Sequence, residues 1–179
     1  MSLTREHIVE AALKVAGDYG LGDLSMRRVA TELNVHAGAL YWHVANKQEL
    51  LIAVAHRILD PNHGAAAWPD EPAHVLTDFR NRLLAVRDGA DIVAVAHAHQ
   101  PTALPPTPLL VQQWETRGFD NALPRACNLV RWVLGSVLAQ QTALNLAAAS
   151  TSTHKAAATL TAQFDQDFQR GLTTLLPFA

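Results

Sequence analysis

Three consecutive residues, Tyr41, Trp42 and His43, combine aromatic rings with groups that donate or accept hydrogen bonds. The apolar residues Leu40 and Val44 lie on either side of them. Positions four apart on a helix share a face, so Leu40 and Val44 would point into a core together. We therefore expect the aromatic trio to point outward from a short helix, where its rings and polar groups need a partner.

The residues before the trio predict how this helix is held. Ser25 can cap a preceding short helix through its hydroxyl, and Asn34 is a residue type that tolerates a left-handed turn at the end of that helix. The apolar positions between them recur at helical spacing and are Val29, Ala30 and Leu33. Two short helices joined by a tight corner form a helix-turn-helix, whose second helix lies in the major groove of DNA.

A longer helix is expected on each side of this pair. Thr4 and Gly20 would begin and end the first, and Asn46 with Glu49 resembles a capping box at the start of the second. The buried stripe of the first helix is predicted to be Ile8, Ala12, Val15 and Tyr19. The buried stripe of the second is predicted to be Leu50, Leu51, Val54 and Ile58.

The segment Leu40–Val44, followed by Asn46, Lys47 and an aliphatic helix, closely resembles the DNA-binding domain of the tetracycline-repressor family of transcriptional regulators. The resemblance covers residues 3 to 60. It implies a DNA-contacting surface of Met26, Arg27, Ala37, Gly38, Ala39, Tyr41, Trp42 and His43, with Lys47 on the phosphate backbone. Ala37 and Gly38 depart from the family pattern because neither offers an amide to a base edge, and His36 or Arg28 could compensate.

The remainder of the chain is also predicted to be helical, so the fold class is all-α. Helices are expected from Pro72 to residue 87, over 90–98, over 108–117, from residue 120 or 121 to 147 and at the C-terminal end, with a proline-rich connector at 100–108. We expect three parts. They are a three-helix helix-turn-helix domain at 1–47, a linking helix at 48–64 and a helical ligand-binding and dimerisation domain at 65–179.

The resemblance continues, at successive landmarks, into the ligand-binding domain of the tetracycline repressor, which holds a drug chelated to magnesium. His63 and Phe79 match drug-contacting positions, but Val75, Leu110 and Ala139 stand where that domain has amides and a carboxylate. A hard cation prefers oxygen ligands, so we expect no metal and no cofactor. The expected pocket suits an apolar or aromatic effector and comprises His63, Val75, Phe79, Val93, His97, Leu110, Trp114 and Trp132.

Two apolar helices at the C-terminal end offer a surface to a second copy of the chain. The resemblance favours a homodimer, because members of that family pair through the matching last two long helices. The interface would comprise Leu129, Trp132, Val133, Ser136, Val137, Phe164, Phe168, Leu172 and Leu175. Helical periodicity does not distinguish an interface from a core, so the same stripes could instead pack within one chain.

The composition limits where and how such a protein would act. The chain has 179 residues, of which 49% are hydrophobic, and a formal net charge of −2. Bulk charge would not attract DNA, so local cations such as Arg27 and Lys47 must do so. One cysteine, the absence of an N-terminal signal and the absence of a run of about 20 apolar residues predict a cytoplasmic protein that does not enter a membrane.

These features predict a ligand-responsive transcriptional regulator, a repressor that leaves a near-palindromic operator when a small molecule binds. A ligand-independent DNA-binding or architectural protein is the alternative. An enzyme is disfavoured, because Cys127 lies in an aliphatic run with no catalytic motif around it. His97 and His99 would point in different directions on a helix, which argues against a shared metal ion.

Overall fold

The protein is described by a computed structural model that covers residues 2–61, 67–149 and 154–176. In these residues the regular structure consists of nine helices and no strand, in agreement with the predicted all-α fold. The helices are α1 Arg5–Tyr19, α2 Met26–Glu32, α3 Ala37–Leu40, α4 Lys47–Leu59, α5 Pro72–Leu84, α6 Gly89–His99, α7 Thr107–Thr116, α8 Ala122–Ala149 and α9 His154–Leu175. None of these described helices combines the length and the apolar character that a bilayer crossing requires.

The chain divides into two compact units. The N-terminal unit comprises α1 to α4, the last residues of α5, and α6. The C-terminal unit comprises the rest of α5 with α7, α8 and α9. α6 packs on α4 and belongs to the N-terminal unit. The predicted domain boundaries at residues 47 and 64 stay a prediction.

Side-chain caps begin the helices of the N-terminal unit. Ser25 Oγ accepts the amide of Arg28 at 3.2 Å, and Asn46 Oδ1 accepts the amide of Glu49 at 2.9 Å. Thr4 caps α1 in the same way. Each cap satisfies an amide that the first turn of a helix leaves without a helical partner, so the predicted helix starts are confirmed.

The core of the N-terminal unit is formed where α1 and α6 pack against α4. Its fully buried side chains include Ile8, Ala12, Leu50, Val54 and Ile92. α1 ends as predicted at Gly20, which has a φ of 86°. The prediction that Tyr19 completes the buried stripe of α1 is wrong: its side chain is 45% exposed, and its ring centroid lies 3.9 Å from the guanidinium carbon of Arg28.

The C-terminal unit is built on α8, which packs against α7 and α9. Trp132 of α8 stacks on Phe168 of α9, with ring centroids 5.1 Å apart and planes 8° apart. Gly171 provides room for the indole, because a Cβ atom at this position would overlap the Trp132 ring. The small residue on α9 and the stacked pair therefore fit together as one contact between the two helices.

A buried arginine adds a polar contact to this unit. Arg80 of α5 is 6% exposed. Its Nη2 donates to Gln140 Oε1 at 2.7 Å and to Asp165 Oδ1 at 2.6 Å, and its guanidinium carbon lies 4.9 Å from the ring centroid of Phe168. Removing a charge from water is costly unless it is paired and hydrogen-bonded, and these contacts offset that cost. They tie α5 to both α8 and α9.

Candidate nucleic-acid interface

A tight corner joins α2 to α3. Asn34 has a φ of 53°, the left-handed conformation that the sequence predicts for it. The amide of Val35 donates to the carbonyl oxygen of Ala30 at 3.0 Å, which closes the turn. Ala30 is 3% exposed and small, so the two helices can approach each other there. The predicted helix-turn-helix corner is thus confirmed.

α3 is shorter than the sequence predicts. It spans only Ala37–Leu40, and the amides of His43 and Val44 both donate to the carbonyl oxygen of Leu40 at 2.9 Å. The two amides share one carbonyl, so regular helical hydrogen bonding ends at Leu40. The aromatic trio therefore lies on the turn that follows α3 and not on the outer face of the helix itself.

The aromatic turn, which we define as residues 41–43, has a buried residue on each side. Leu40 is 0% exposed and Val44 is 1% exposed. Between them, Trp42 is 90% exposed, Tyr41 is 52% exposed, and His43 is also exposed. Tryptophan is highly buried on average in folded proteins. The exposed indole of Trp42, on a turn with buried residues at both ends, therefore indicates a binding surface. The predicted outward direction of the trio is confirmed.

The other positions of the reading segment, which we define as residues 36–47, are small or cationic. His36 and Gly38 are exposed, and Ala37 and Ala39 are half-buried. A Cβ atom at Gly38 would meet no heavy atom within 4 Å. Lys47 is exposed at the first position of α4, where an ammonium group can reach a phosphate.

The residues predicted on α2 have different surroundings. Arg27 is exposed, whereas Arg28 is half-buried over the ring of Tyr19. Met26 is 8% exposed, so its predicted contact with DNA is not supported: its side chain belongs to the core. The sequence reasoning missed Tyr19 as the support of Arg28, because Tyr19 shares the helical spacing of the buried residues of α1.

Comparison with known proteins identifies the family. Residues 8–54 match the family model described as bacterial regulatory proteins, tetR family. The tetracycline repressor protein class E of Escherichia coli is 30% identical over 154 residues, which cover 78% of this chain and 69% of that protein. The chain belongs to the TetR family. It spans less than half the length of the tetracycline repressors of classes C, D and H, to which it is also similar.

Solved structures extend the similarity beyond the TetR helix-turn-helix. The crystal structure of BioQ with its double-stranded DNA operator is 31% identical, with a TM-score of 0.78, covering 98% of this chain and 97% of that chain. The TetR family protein ActR of Streptomyces coelicolor, in complex with (S)-DNPA, is 26% identical, with a TM-score of 0.76, covering 99% and 97% of the two chains. The similarity therefore includes the helices after α4.

The residues predicted for the effector pocket of this TetR-family chain are mostly buried. Those at most 6% exposed are Val75, Phe79, Leu110 and Trp114 in the C-terminal unit, and Val93 and His97 in the N-terminal unit. Trp132 is half-buried against Phe168, and His63 lies outside the described residues. The role of these residues in effector binding stays a prediction.

The residues predicted for TetR-type pairing differ in how much surface they offer to a partner. Five of them are at most 5% exposed within the single chain: Leu129, Val133, Val137, Phe168 and Leu172. Their burial within one chain leaves little of these side chains for contact with a partner. Ser136, Phe164 and Trp132 are half-buried, and Leu175 is 41% exposed. Other exposed leucines on α8 are Leu123, Leu138 and Leu146.

The connector between α1 and α2 makes a contact that the sequence does not predict. The amide of Leu21 donates to Asp88 Oδ2 at 2.8 Å. The pair Asp88–Gly89 predicts only the end of a helix, and nothing in the local sequence indicates a partner 67 positions away. An aspartate directly before a glycine is typical of an ordinary turn, so the local sequence does not reveal the distant contact.

Proposed function

We propose that the chain is a homodimeric repressor that binds a near-palindromic DNA operator through its reading segment and leaves it when a largely apolar or aromatic effector binds. The observation that carries this proposal is the 90% exposure of Trp42 between the buried anchors Leu40 and Val44. A rigid, outward-facing aromatic turn can enter a groove and contact base edges and thymine methyl groups. BioQ, a similar chain, was crystallised with its double-stranded DNA operator, which supports DNA binding by this chain.

Local charge supports this mode of binding. The chain carries a net charge of −2, so general attraction to DNA is weak. Arg27 on α2 and Lys47 at the start of α4 are both exposed, so their charged groups can contact phosphates. Such contacts set the register of the protein on the duplex, while the trio reads the bases. Operator affinity should therefore fall with salt as expected for a small number of phosphate contacts.

Pairing of two chains is proposed through the surface that α8 and α9 leave exposed. Leu138 and Leu146 of α8 and Leu175 of α9 are 41%, 67% and 41% exposed. A second copy would cover these apolar side chains. Twofold pairing presents two reading segments to one duplex, so the operator should contain two inverted half-sites about one helical turn apart or slightly more.

Release by an effector is proposed to act through α6. This helix carries Val93 and His97, which are both buried, and it packs on α4. α4 in turn begins at Lys47, the last residue of the reading segment. An effector that prefers the form with poorly spaced reading segments shifts the population away from the DNA-binding form, with a coupling of about 1–3 kcal/mol. The ActR complex with (S)-DNPA supports ligand binding in a similar chain.

Selection of bound duplexes from random DNA tests the DNA-binding part. We expect the recovered sequences to contain an inverted repeat and to bind two chains per duplex in a sizing experiment. The same selection with Trp42→Ala should enrich the shared motif less strongly than the parent chain does. Recovery of no motif by the parent chain, or of a motif without symmetry bound by one chain, would contradict the proposal.

Screening small molecules against the selected duplex tests the effector part. An apolar or aromatic compound should raise the melting temperature of the protein and lower its affinity for the duplex together, since binding to one form stabilises that form. A compound that raises the melting temperature without releasing DNA would not be the effector. If no compound in a broad library alters operator binding, the ligand-independent DNA-binding alternative is favoured.

A further inference from the structure

The connector between α1 and α2 is held by the turn that precedes α6. The amide of Leu21 donates to Asp88 Oδ2 at 2.8 Å. Next to it, Arg87 Nη1 donates to the carbonyl oxygen of Asp18 at 3.5 Å. Both contacts lie inside the N-terminal unit and join residues that are more than 60 positions apart in the chain. The first of them reaches the backbone a few residues before the helix-turn-helix begins.

Asp88 departs from two local preferences in order to make this contact. It is a non-glycine residue with a φ of 55° and a ψ of 25°, a left-handed conformation that few residue types adopt readily. It is also the N-cap residue of α6, yet its side chain makes no capping hydrogen bond to that helix. An aspartate at this position normally stabilises its own helix. Here the carboxylate is directed to another segment of the chain.

Two glycines shape the backbone for the same contact. A Cβ atom at Gly20 would lie 3.0 Å from Asp88 Oδ2 and 3.2 Å from Arg87 Nε, so the connector and the carboxylate approach closely. A Cβ atom at Gly89 would overlap the carbonyl oxygen of Leu83, so the turn before α6 is tight as well. The hydrogen bond between Asp88 and the Leu21 amide therefore depends on the close backbone packing of both turns.

α6 is thereby joined to the chain on both sides of the helix-turn-helix. On the N-terminal side, Asp88 at the start of α6 holds Leu21. On the C-terminal side, α6 packs along α4, which starts at Lys47. The segment between Leu21 and Lys47 contains α2, α3 and the aromatic turn. Its orientation depends on both connections.

We propose that Asp88 is a positioning residue for DNA binding: its carboxylate fixes the connector at Leu21 and so orients the reading segment relative to α4. The inference rests on the proposed DNA-binding function. It adds a second connection between α6 and the helix-turn-helix, beside the packing of α6 on α4. Loss of the hydrogen bond leaves the fold of each helix intact but allows the reading segment to vary in direction.

Two substitutions at one position separate the hydrogen bond from charge and backbone effects. Asp88→Asn and Asp88→Gly both remove one negative charge, and both residues tolerate a positive φ. Only asparagine keeps a side-chain oxygen that can accept the Leu21 amide. We expect Asp88→Asn to bind the selected duplex within about threefold of the parent affinity and Asp88→Gly to bind about tenfold more weakly, within the usual range of coupling between sites.

Exchange of the Leu21 amide with solvent deuterium reports on the contact directly. The amide should be protected in the parent protein and in Asp88→Asn, and exposed in Asp88→Gly. Affinities are compared per folded molecule, with the folded fraction taken from thermal melting, so that a change in stability alone does not count as support. Asp88→Asn then serves as the conservative variant that restores DNA affinity. A purely structural role of Asp88 would predict the same affinity per folded molecule for both variants.

Equal affinity of the two variants per folded molecule, or equal protection of the Leu21 amide in both, would overturn the proposal. These results differ from a failure of the proposed function. In that case the parent protein itself would bind no selected duplex, whatever the state of the Leu21 amide. A loss of binding in Asp88→Gly with the Leu21 amide still protected would also count against the hydrogen bond as the cause.

Discussion

The aromatic turn and the Trp132–Phe168 stack are two regions in which the sequence places large aromatic side chains near helix surfaces. In the first, Trp42 is 90% exposed, and in the second, Phe168 is 1% exposed. The stack is completed within the chain by Gly171 beneath the indole and by Arg80 over the phenyl ring. The aromatic turn has buried anchors beside it but no such cover. An aromatic residue thus indicates a binding surface when its own chain anchors the residues beside it but leaves the ring itself uncovered.

Removing the exposed indole should have the largest effect on function. Trp42→Ala is expected to weaken binding to the selected duplex by about 1–3 kcal/mol per half-site, the usual range for a base-reading contact. The melting temperature should stay within the range of ordinary surface substitutions, because so little of the side chain is buried. Fluorescence anisotropy with labelled duplex measures the first quantity, and thermal melting measures the second.

His74→Ala provides a control, since His74 is exposed on α5 in the other unit. It should leave both the operator affinity and the melting temperature unchanged. If Trp42→Ala lowered the melting temperature strongly while the folded fraction kept its affinity, Trp42 would be a structural residue, and the comparison between the two aromatic regions would fail.

Filling the space under the stacked indole should have the next largest effect, and on stability. Gly171→Ala places a methyl group against Trp132, and the ring cannot move without giving up its stack on Phe168. Overpacking of this kind costs about 1–3 kcal/mol. Gly17→Ala in α1 is the matched control, because a Cβ there meets no atom within 4 Å and alanine favours helix by about 1 kcal/mol. Opposite shifts in melting temperature are expected.

An equal response of the two glycine variants would show that the stack is not closely packed. A Gly171→Ala protein that melts at the parent temperature but loses its ability to pair would point instead to an interface role for Trp132. That outcome would support the sequence-based prediction for this residue.

The sequence predicts the N-terminal unit better than the C-terminal one for a physical reason. Caps such as Ser25 and Asn46, and the left-handed Asn34, act on backbone groups a few positions away, so their chemistry can be read locally. Whether the stripe on α9 is core or interface depends on which helix covers it, and periodicity is the same in both cases. The contact of Leu21 with Asp88 is equally beyond local reasoning.

The connector before α2 should be sensitive to substitution at one glycine and not at its neighbour. Gly20 has a φ of 86° and a ψ of 170°, a region that is essentially restricted to glycine. Gly20→Ala should therefore cost about 1–3 kcal/mol of stability. Gly22→Ala is the control, because a Cβ there meets no atom within 4 Å. Denaturant titration compares the two, and similar midpoints would contradict the close approach of the connector to Asp88.

The two units also differ in whether a partly buried charged side chain has a partner of opposite charge. This difference predicts the smallest effect, a small shift in melting temperature. Arg80 is paired with Asp165, whereas burial and the neighbouring charge of Asp88 raise the pKa of Asp91. A raised carboxyl pKa in the folded state means that ionised Asp91 costs stability, and that this cost disappears as the pH falls through the folded pKa. Asp91→Asn should therefore melt slightly above the parent protein at pH 7.

The difference between Asp91→Asn and the parent should shrink as the solution is acidified. Thermal melting over a series of pH values measures it, with Asp70→Asn, at an exposed position, as the control. A difference that grew on acidification would mean that Asp91 is stabilised in its ionised form, contrary to the burial of its carboxyl group.

Gly38 gives the reading segment one position that can change freely. A Cβ atom added there meets no heavy atom within 4 Å apart from its chain neighbours and the backbone of its own helix, and the backbone of Gly38 is not in the left-handed region that favours glycine. A single codon change could thus introduce a new hydrogen-bonding group beside the aromatic turn while the fold stays intact. Descendants of this protein could in this way acquire a different set of target genes through one inherited substitution.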